Sequence, residues 1–182
     1  DSDDWNFGNE DFTIELWIYP TEDARQALFA FEDDHRLGID FNYGSARNIN
    51  IWASSTGTSW DLLTSDHGGG EYANGSISLE LNEWHHIAFV RSGDNWMSFI
   101  NGVKDIDVNI SGTVVEKDED MHFGRWGAST AWTFNGMMDE ARISSVARYT
   151  TDFSTPTGFT EDAYTVALWS FNEGSGATSE DS

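Results

Sequence analysis

FNGMMDEARISSVARYT, residues 134–150, begins with a turn signal at Asn135-Gly136 and continues with a period of two. Met137, Asp139, Ala141 and Ile143 share one face by this alternation, and Met138, Glu140, Arg142 and Ser144 share the other. Period two marks a β-strand. The first row is apolar except for Asp139, so the pattern predicts a core-facing strand with a carboxylate in its inner row. A bare carboxylate there costs several kcal/mol unless it is paired or holds a metal. The partners on offer are an arginine (Arg125, Arg142 or Arg148) or a bound cation.

The same alternation runs through the rest of the chain. Residues 11–20 set Phe12, Ile14, Leu16 and Ile18 against Thr13, Glu15, Trp17 and Tyr19, and Pro20 ends the strand. Residues 26–31 and 36–43 read as a strand pair, the second with Leu37, Ile39, Phe41 and Tyr43 as its inner row. Residues 48–53 set Ile49, Ile51 and Ala53 against Asn50 and Trp52. Residues 76–81 and 84–91 flank an Asn82-Glu83 turn, and the second of them is apolar on both faces, as a doubly covered strand is. Residues 95–100 and 103–108 form a hairpin on Asn101-Gly102, the pair a type I′ turn prefers. Short strands at 121–124 and 165–171, with one helical turn at 145–150, complete the reading. Short antiparallel strands without a long amphipathic helix predict an all-β sandwich of two packed sheets.

Four blocks in order carry a family resemblance: DFTIELWIY (11–19), WHHIAFVR (84–91), FING (99–102) and the opening stretch with its Asp-Glu-x-Arg-Ile-Ser core. Together they resemble a laminin G-like, concanavalin A-like lectin domain of the bacterial and phage type. The resemblance implies a two-sheet antiparallel jelly roll. It covers nearly the whole chain, so residues 1–182 are expected to form a single domain, with residues 165–182 as its last strand or the start of a following module. The chain opens in what reads as mid-domain sequence, which predicts a part of a longer protein.

Composition narrows the function. Nine Lys and Arg against 32 Asp and Glu give a net charge of −23, which argues against nucleic acid and anionic membrane surfaces as partners. No apolar run reaches the ~20 residues of a membrane-spanning helix, so membrane insertion is not expected. Without cysteine, disulfides and thiolate metal sites are ruled out.

The resemblance, together with the acidic loops, points to Ca2+ as the partner of Asp139, with Asp11, Asn9 and Asp4 as co-ligands. Such an ion would clamp the N-terminal loop to the late strand. Catalysis is not expected. Glycoside hydrolysis needs two carboxylates across a cleft, whereas adjacent strand residues such as Asp139 and Glu140 point to opposite faces. Trp17, Trp84 and Trp169, in strand patterns, are expected in the core. Trp60, Trp126 and Trp132 fall in loops among small polar residues, where an indole face and neighbouring oxygens suit a sugar. With Asp66 and His67 from the longest irregular stretch, 54–75, they form the candidate ligand set. The reading is a non-catalytic, calcium-binding module for glycan or cell-surface polysaccharide in an extracellular, cell-surface or virion-surface protein. The alternative is a structural sandwich that mediates protein contacts with other domains of a capsid, tail or filament.

Overall fold

The computed structural model describes residues 6–31, 35–44, 46–63, 72–127 and 132–172. Eleven strands are assigned among them: β1 (Phe12–Pro20), β2 (Gln26–Phe31), β3 (Leu37–Phe41), β4 (Ile49–Ala53), β5 (Ala73–Asn74), β6 (His85–Ser92), β7 (Asn95–Ile100), β8 (Val103–Asn109), β9 (Met121–Phe123), β10 (Gly136–Ser144) and β11 (Thr165–Trp169). They make a six-stranded sheet, β11-β10-β1-β6-β7-β8, and a five-stranded sheet, β5-β4-β3-β2-β9. All pairings are antiparallel. The expected two-sheet sandwich is therefore the observed fold.

The inward rows of the two sheets meet in one core. Phe12, Ile14, Leu16 and Ile18 of β1 and Ile87 and Phe89 of β6 face Leu37, Ile39 and Phe41 of β3 and Ile49 and Ile51 of β4. The hairpin falls where Asn101-Gly102 predicted it, with φ of 51° and 79° at the two turn residues. Residues 76–81 make no ladder, although they alternate as expected. Their N-terminal amides are taken by a side chain instead: Ser76 and Ile77 N–H donate to Asp105 Oδ1 at 2.7 and 2.9 Å. Residues 145–150 form bends rather than a helical turn. Their backbone is held by Thr13, whose hydroxyl donates to Val146 O and accepts from Arg148 N–H.

The parity read from the opening stretch fails at one residue. Leu16 pairs with Ala141 but Trp17 pairs with Asp139, so Glu140 is an extra residue in β10. Its φ is +44°, the backbone of a β-bulge. The alternation reverses there. Ala141 and Ile143 face the core, and so does Met138, while Asp139 shares the outer face with Trp17 and is exposed. Asp139 is not a buried carboxylate in need of a partner.

Part of the outer face of the six-stranded sheet is covered by the chain itself. Ala88 and Val90 of β6 and Met97 and Phe99 of β7 form a second cluster under Ala147, Tyr149 and Phe153. This accounts for the doubly apolar β6. Beside the cluster lies Glu15, fully buried. Its Oε1 accepts from Arg142 Nε and Nη2 at 2.9 and 2.6 Å, and its Oε2 accepts from Tyr149 Oη at 3.0 Å and lies 3.1 Å from His86 Nε2. Burial alone would raise the Glu15 pKa, but the hydrogen bonds and positive charge of His86 and Arg142 hold it below its ordinary value.

Candidate functional site

On the outer face of the five-stranded sheet, cross-strand pairing sets Gly38 opposite Trp52 and Asp40 opposite Asn50. Trp52 is thus the one large ring built into this face by β3 and β4. The adjoining Gly38 leaves room for another: a Cβ at Gly38 would stand 2.5 Å from Cη2 of Trp126, so the Trp126 ring rests on its backbone. Loop residues complete a cluster. Trp60 lies 5.7 Å from Trp52 and 5.6 Å from Trp126 between ring centroids, and Trp132 lies 6.3 Å from Trp126. Tyr72 stacks on Trp52 at 4.4 Å, and Tyr43 meets both at 5.0 and 4.9 Å. His35 packs on Trp60 at 4.8 Å. Trp52 is buried, Trp60, Trp126 and Trp132 are half-buried, and Tyr43 is exposed.

Arg25 occupies the centre. Its guanidinium carbon lies 4.2 Å from the Trp132 ring, 4.4 Å from Tyr43, 5.4 Å from Trp52 and 5.5 Å from Trp126. Such a cation is attracted to the ring faces electrostatically. Its Nε donates to Asp40 Oδ2 at 2.7 Å. Asn50 Nδ2 donates to the other oxygen at 2.9 Å, and the Trp52 indole nitrogen lies near the same carboxylate without reaching hydrogen-bond geometry. Burial raises the Asp40 pKa above its ordinary value despite the opposing pull of Arg25, Asn50 and Trp52. Chemically, the face offers flat apolar surface, indole N–H groups and a guanidinium held from behind.

Three of the sequence candidates are brought together here from two loops, Trp60 from the one after β4 and Trp126 and Trp132 from the one between β9 and β10. Asp66, His67 and Asp4 lie outside the described residues. Sequence reasoning missed Trp52, Tyr43, Tyr72 and Arg25. The signal for Trp52 was present, because it alternates away from Ile49, Ile51 and Ala53 and therefore had to face outward. Two of the tryptophans expected in the core are elsewhere. Trp17 is half-buried on the outer face of the six-stranded sheet, and Trp84 is 41% exposed. Trp169 does pack against the core.

The metal set does not converge. Asp139 sits opposite Trp17, which lies six residues along β1 from Asp11, a distance of about 20 Å at about 3.4 Å per residue. One calcium ion, with ligands at about 2.3–2.6 Å, cannot reach both. Asp11 Oδ1 instead accepts from Gly93 N–H at 2.7 Å, closing the β6–β7 turn onto the N-terminal loop, and Asn9 is exposed in a turn. Among the described residues no three His, Asp or Glu side chains group to hold a metal.

Residues 1–154 match a laminin G family model described as the concanavalin A-like lectin/glucanases superfamily. The chain belongs to this superfamily. No curated protein matches it. Among solved structures, this concanavalin A-like chain is similar to a proposed carbohydrate-binding protein of Bacteroides ovatus (15% identity, TM-score 0.68), covering 96% of its own length and 50% of that protein's. It is similar to domain 4 of AbnA, an extracellular arabinanase of Geobacillus stearothermophilus, solved with arabinotriose (20% identity, TM-score 0.55, covering 77% and 62%). It also resembles the CBM40 of a Ruminococcus gnavus sialidase (12% identity, TM-score 0.59, covering 78% and 79%). The chain thus spans about half of the Bacteroides protein and under two thirds of the AbnA domain. At these identities the likeness is one of fold.

Proposed function

We propose that this concanavalin A-like domain is a non-catalytic glycan-recognition module of an extracellular or surface-exposed protein, and that sugar is held on the aromatic face of the five-stranded sheet. The observation that carries the reading is the linked cluster of Trp52, Trp60, Trp126 and Trp132, in which Trp52, Trp126 and Trp132 surround one guanidinium. Half-buried indoles give a sugar's C–H face a platform whose geometry is already fixed, so little ordering cost remains on binding. Arg25 is anchored through Nε, which leaves its Nη groups available to hydroxyl oxygens. The arabinotriose held by the AbnA domain fits the same reading.

Within the aromatic cage the chemistry favours binding over hydrolysis. Asp40, the carboxylate within the cage, is fully buried and committed to Arg25 and Asn50. Glycoside hydrolysis calls for a pair of carboxylates across the bond. Calcium enters the proposal only as a stabiliser of the N-terminal loop through Asp4, Asn9 and Asp11, with Asp139 outside the set.

The test is a glycan screen followed by titration of intrinsic tryptophan fluorescence. Trp60→Ala and Trp126→Ala are each expected to weaken a hit about tenfold, the equivalent of one lost ring contact. If no glycan binds, or both variants keep full affinity, the aromatic face is not a sugar site and the structural-module reading replaces it.

A further inference from the structure

The bulge in β10 has a second effect. Because Glu140 is the extra residue, Asp139 and Glu140 lie along the same cavity instead of on opposite faces, which corrects the sequence expectation. This cavity, about 420 Å³, opens on the outer face of the six-stranded sheet, away from the aromatic cage. Trp17, Trp84 and Pro156 give it apolar walls, and Thr155 and the two carboxylates give it polar ones. The volume lies within the range of small-ligand sites.

Its charge is unbalanced. Among the described residues no lysine or arginine lines it. The Asp139 side chain forms neither a hydrogen bond nor an ion pair with the described residues, and the Glu140 side chain accepts one bond at Oε2, from Phe159 N–H at 2.5 Å. That bond fixes the Glu140 carboxylate in place as an acceptor. Two uncompensated carboxylates beside two indoles make a site for a cation that also carries an apolar face: the carboxylates take the charge, and the indole faces attract both. A neutral sugar would satisfy the rings and leave the charge unanswered. The net charge of −23 adds long-range attraction for a cationic chain.

We propose that this cavity is a second binding site, independent of the aromatic cage, for a glycan bearing free protonated amines, that is, a deacetylated amino-sugar oligomer. The ammonium lies between Asp139 and Glu140, and the pyranose ring stacks on Trp84 or Trp17.

The experiment is isothermal titration of the whole chain at about pH 6 with a glucosamine hexamer and, separately, with its fully N-acetylated counterpart. The amine form is expected to bind about tenfold or more tightly than the acetylated form. Asp139→Asn and Trp84→Ala should each remove most of that preference. Asp139 is exposed and unpaired, so the asparagine variant retains the fold. Asp94→Asn, in the exposed β6–β7 turn at the far end of the sheet, serves as the charge control and should leave binding unchanged. Equal affinity for the two oligomers overturns the proposal. So does an equal loss in Asp94→Asn and Asp139→Asn, which would mean general attraction to an acidic protein.

Discussion

The outer faces of the two sheets are built on the same plan and finished differently. Each has a fully buried carboxylate held by an arginine: Glu15 by Arg142 on one, Asp40 by Arg25 on the other. Over Glu15 the chain lays its own residues 145–164, and the carboxylate collects hydrogen bonds from Arg142 and Tyr149 with His86 alongside. Over Asp40 it lays side chains, a ring of tryptophan and tyrosine contributed by β4 and by loops. Around Glu15 the first face is closed by the chain's own residues. Around Asp40 the second is closed by rings that remain partly exposed. The protonation energetics differ accordingly. The pKa of Glu15 is lowered and that of Asp40 is raised, because one carboxylate has donors enough to offset its burial and the other does not.

The strongest way to break this comparison is to remove each carboxylate. Glu15→Ala leaves Arg142 and His86 buried without their acceptor, and is expected to cost about 3–5 kcal/mol in urea unfolding. Asp40→Asn keeps an acceptor for Arg25 and is expected to cost about 1 kcal/mol. Equal losses would mean that the two faces are not distinct in kind.

A pH series sharpens the same point. Glu15 has a folded pKa below its unfolded value. Its stabilisation is therefore present above the unfolded value, and is lost as pH falls through the folded one. Asp40 has the opposite sign: its contribution is present below the unfolded value and lost as pH rises through the raised folded one. Between about pH 7 and pH 3, Glu15→Gln should flatten the acid loss of stability, and Asp40→Asn should steepen it. Urea midpoints at each pH measure both slopes.

A smaller change tests the ring layer alone. Gly38→Ala puts a methyl group against the Trp126 ring and should displace it, altering tryptophan fluorescence and sugar binding while changing stability by only about 1–2 kcal/mol. The smallest expected effect concerns Asp139. Any calcium-dependent rise in Tm should persist in Asp139→Asn and vanish in Asp11→Asn, each read against the same variant in EDTA. A shift lost in Asp139→Asn would restore the clamp across the sheet.

The fold was legible because it rests on period-two alternation, and strands 26–31 and 95–100 coincide with their expected limits. The I′ hairpin was legible because Asn101-Gly102 specifies it locally. What failed depended on partners distant in sequence. Residues 76–81 alternate as a strand does, but Asp105 takes their first amides. The 134–150 stretch gave the strand and the wrong face for Asp139, since a bulge is a matter of register against β1 and leaves no mark in the alternation of β10 alone. For the candidate site, loop tryptophans stood out by context. Arg25 and Tyr72 did not, because each acquires its role only when β2, β3 and β4 bring Trp52 between them.

The indole cluster also provides the molecule with an optical signal of its own. Trp52, Trp60, Trp126 and Trp132 form a chain of neighbours with centroids 5.6 to 6.3 Å apart and planes inclined at 60° to 85°. Transition dipoles so close and so far from parallel couple, giving paired circular-dichroism bands of opposite sign that isolated tryptophans lack. The five-stranded sheet therefore carries an unlabelled gauge of its own outer layer, in which assembly of the cage, its disturbance by a substitution and the proposed binding of a sugar can each be followed as a change in chirality.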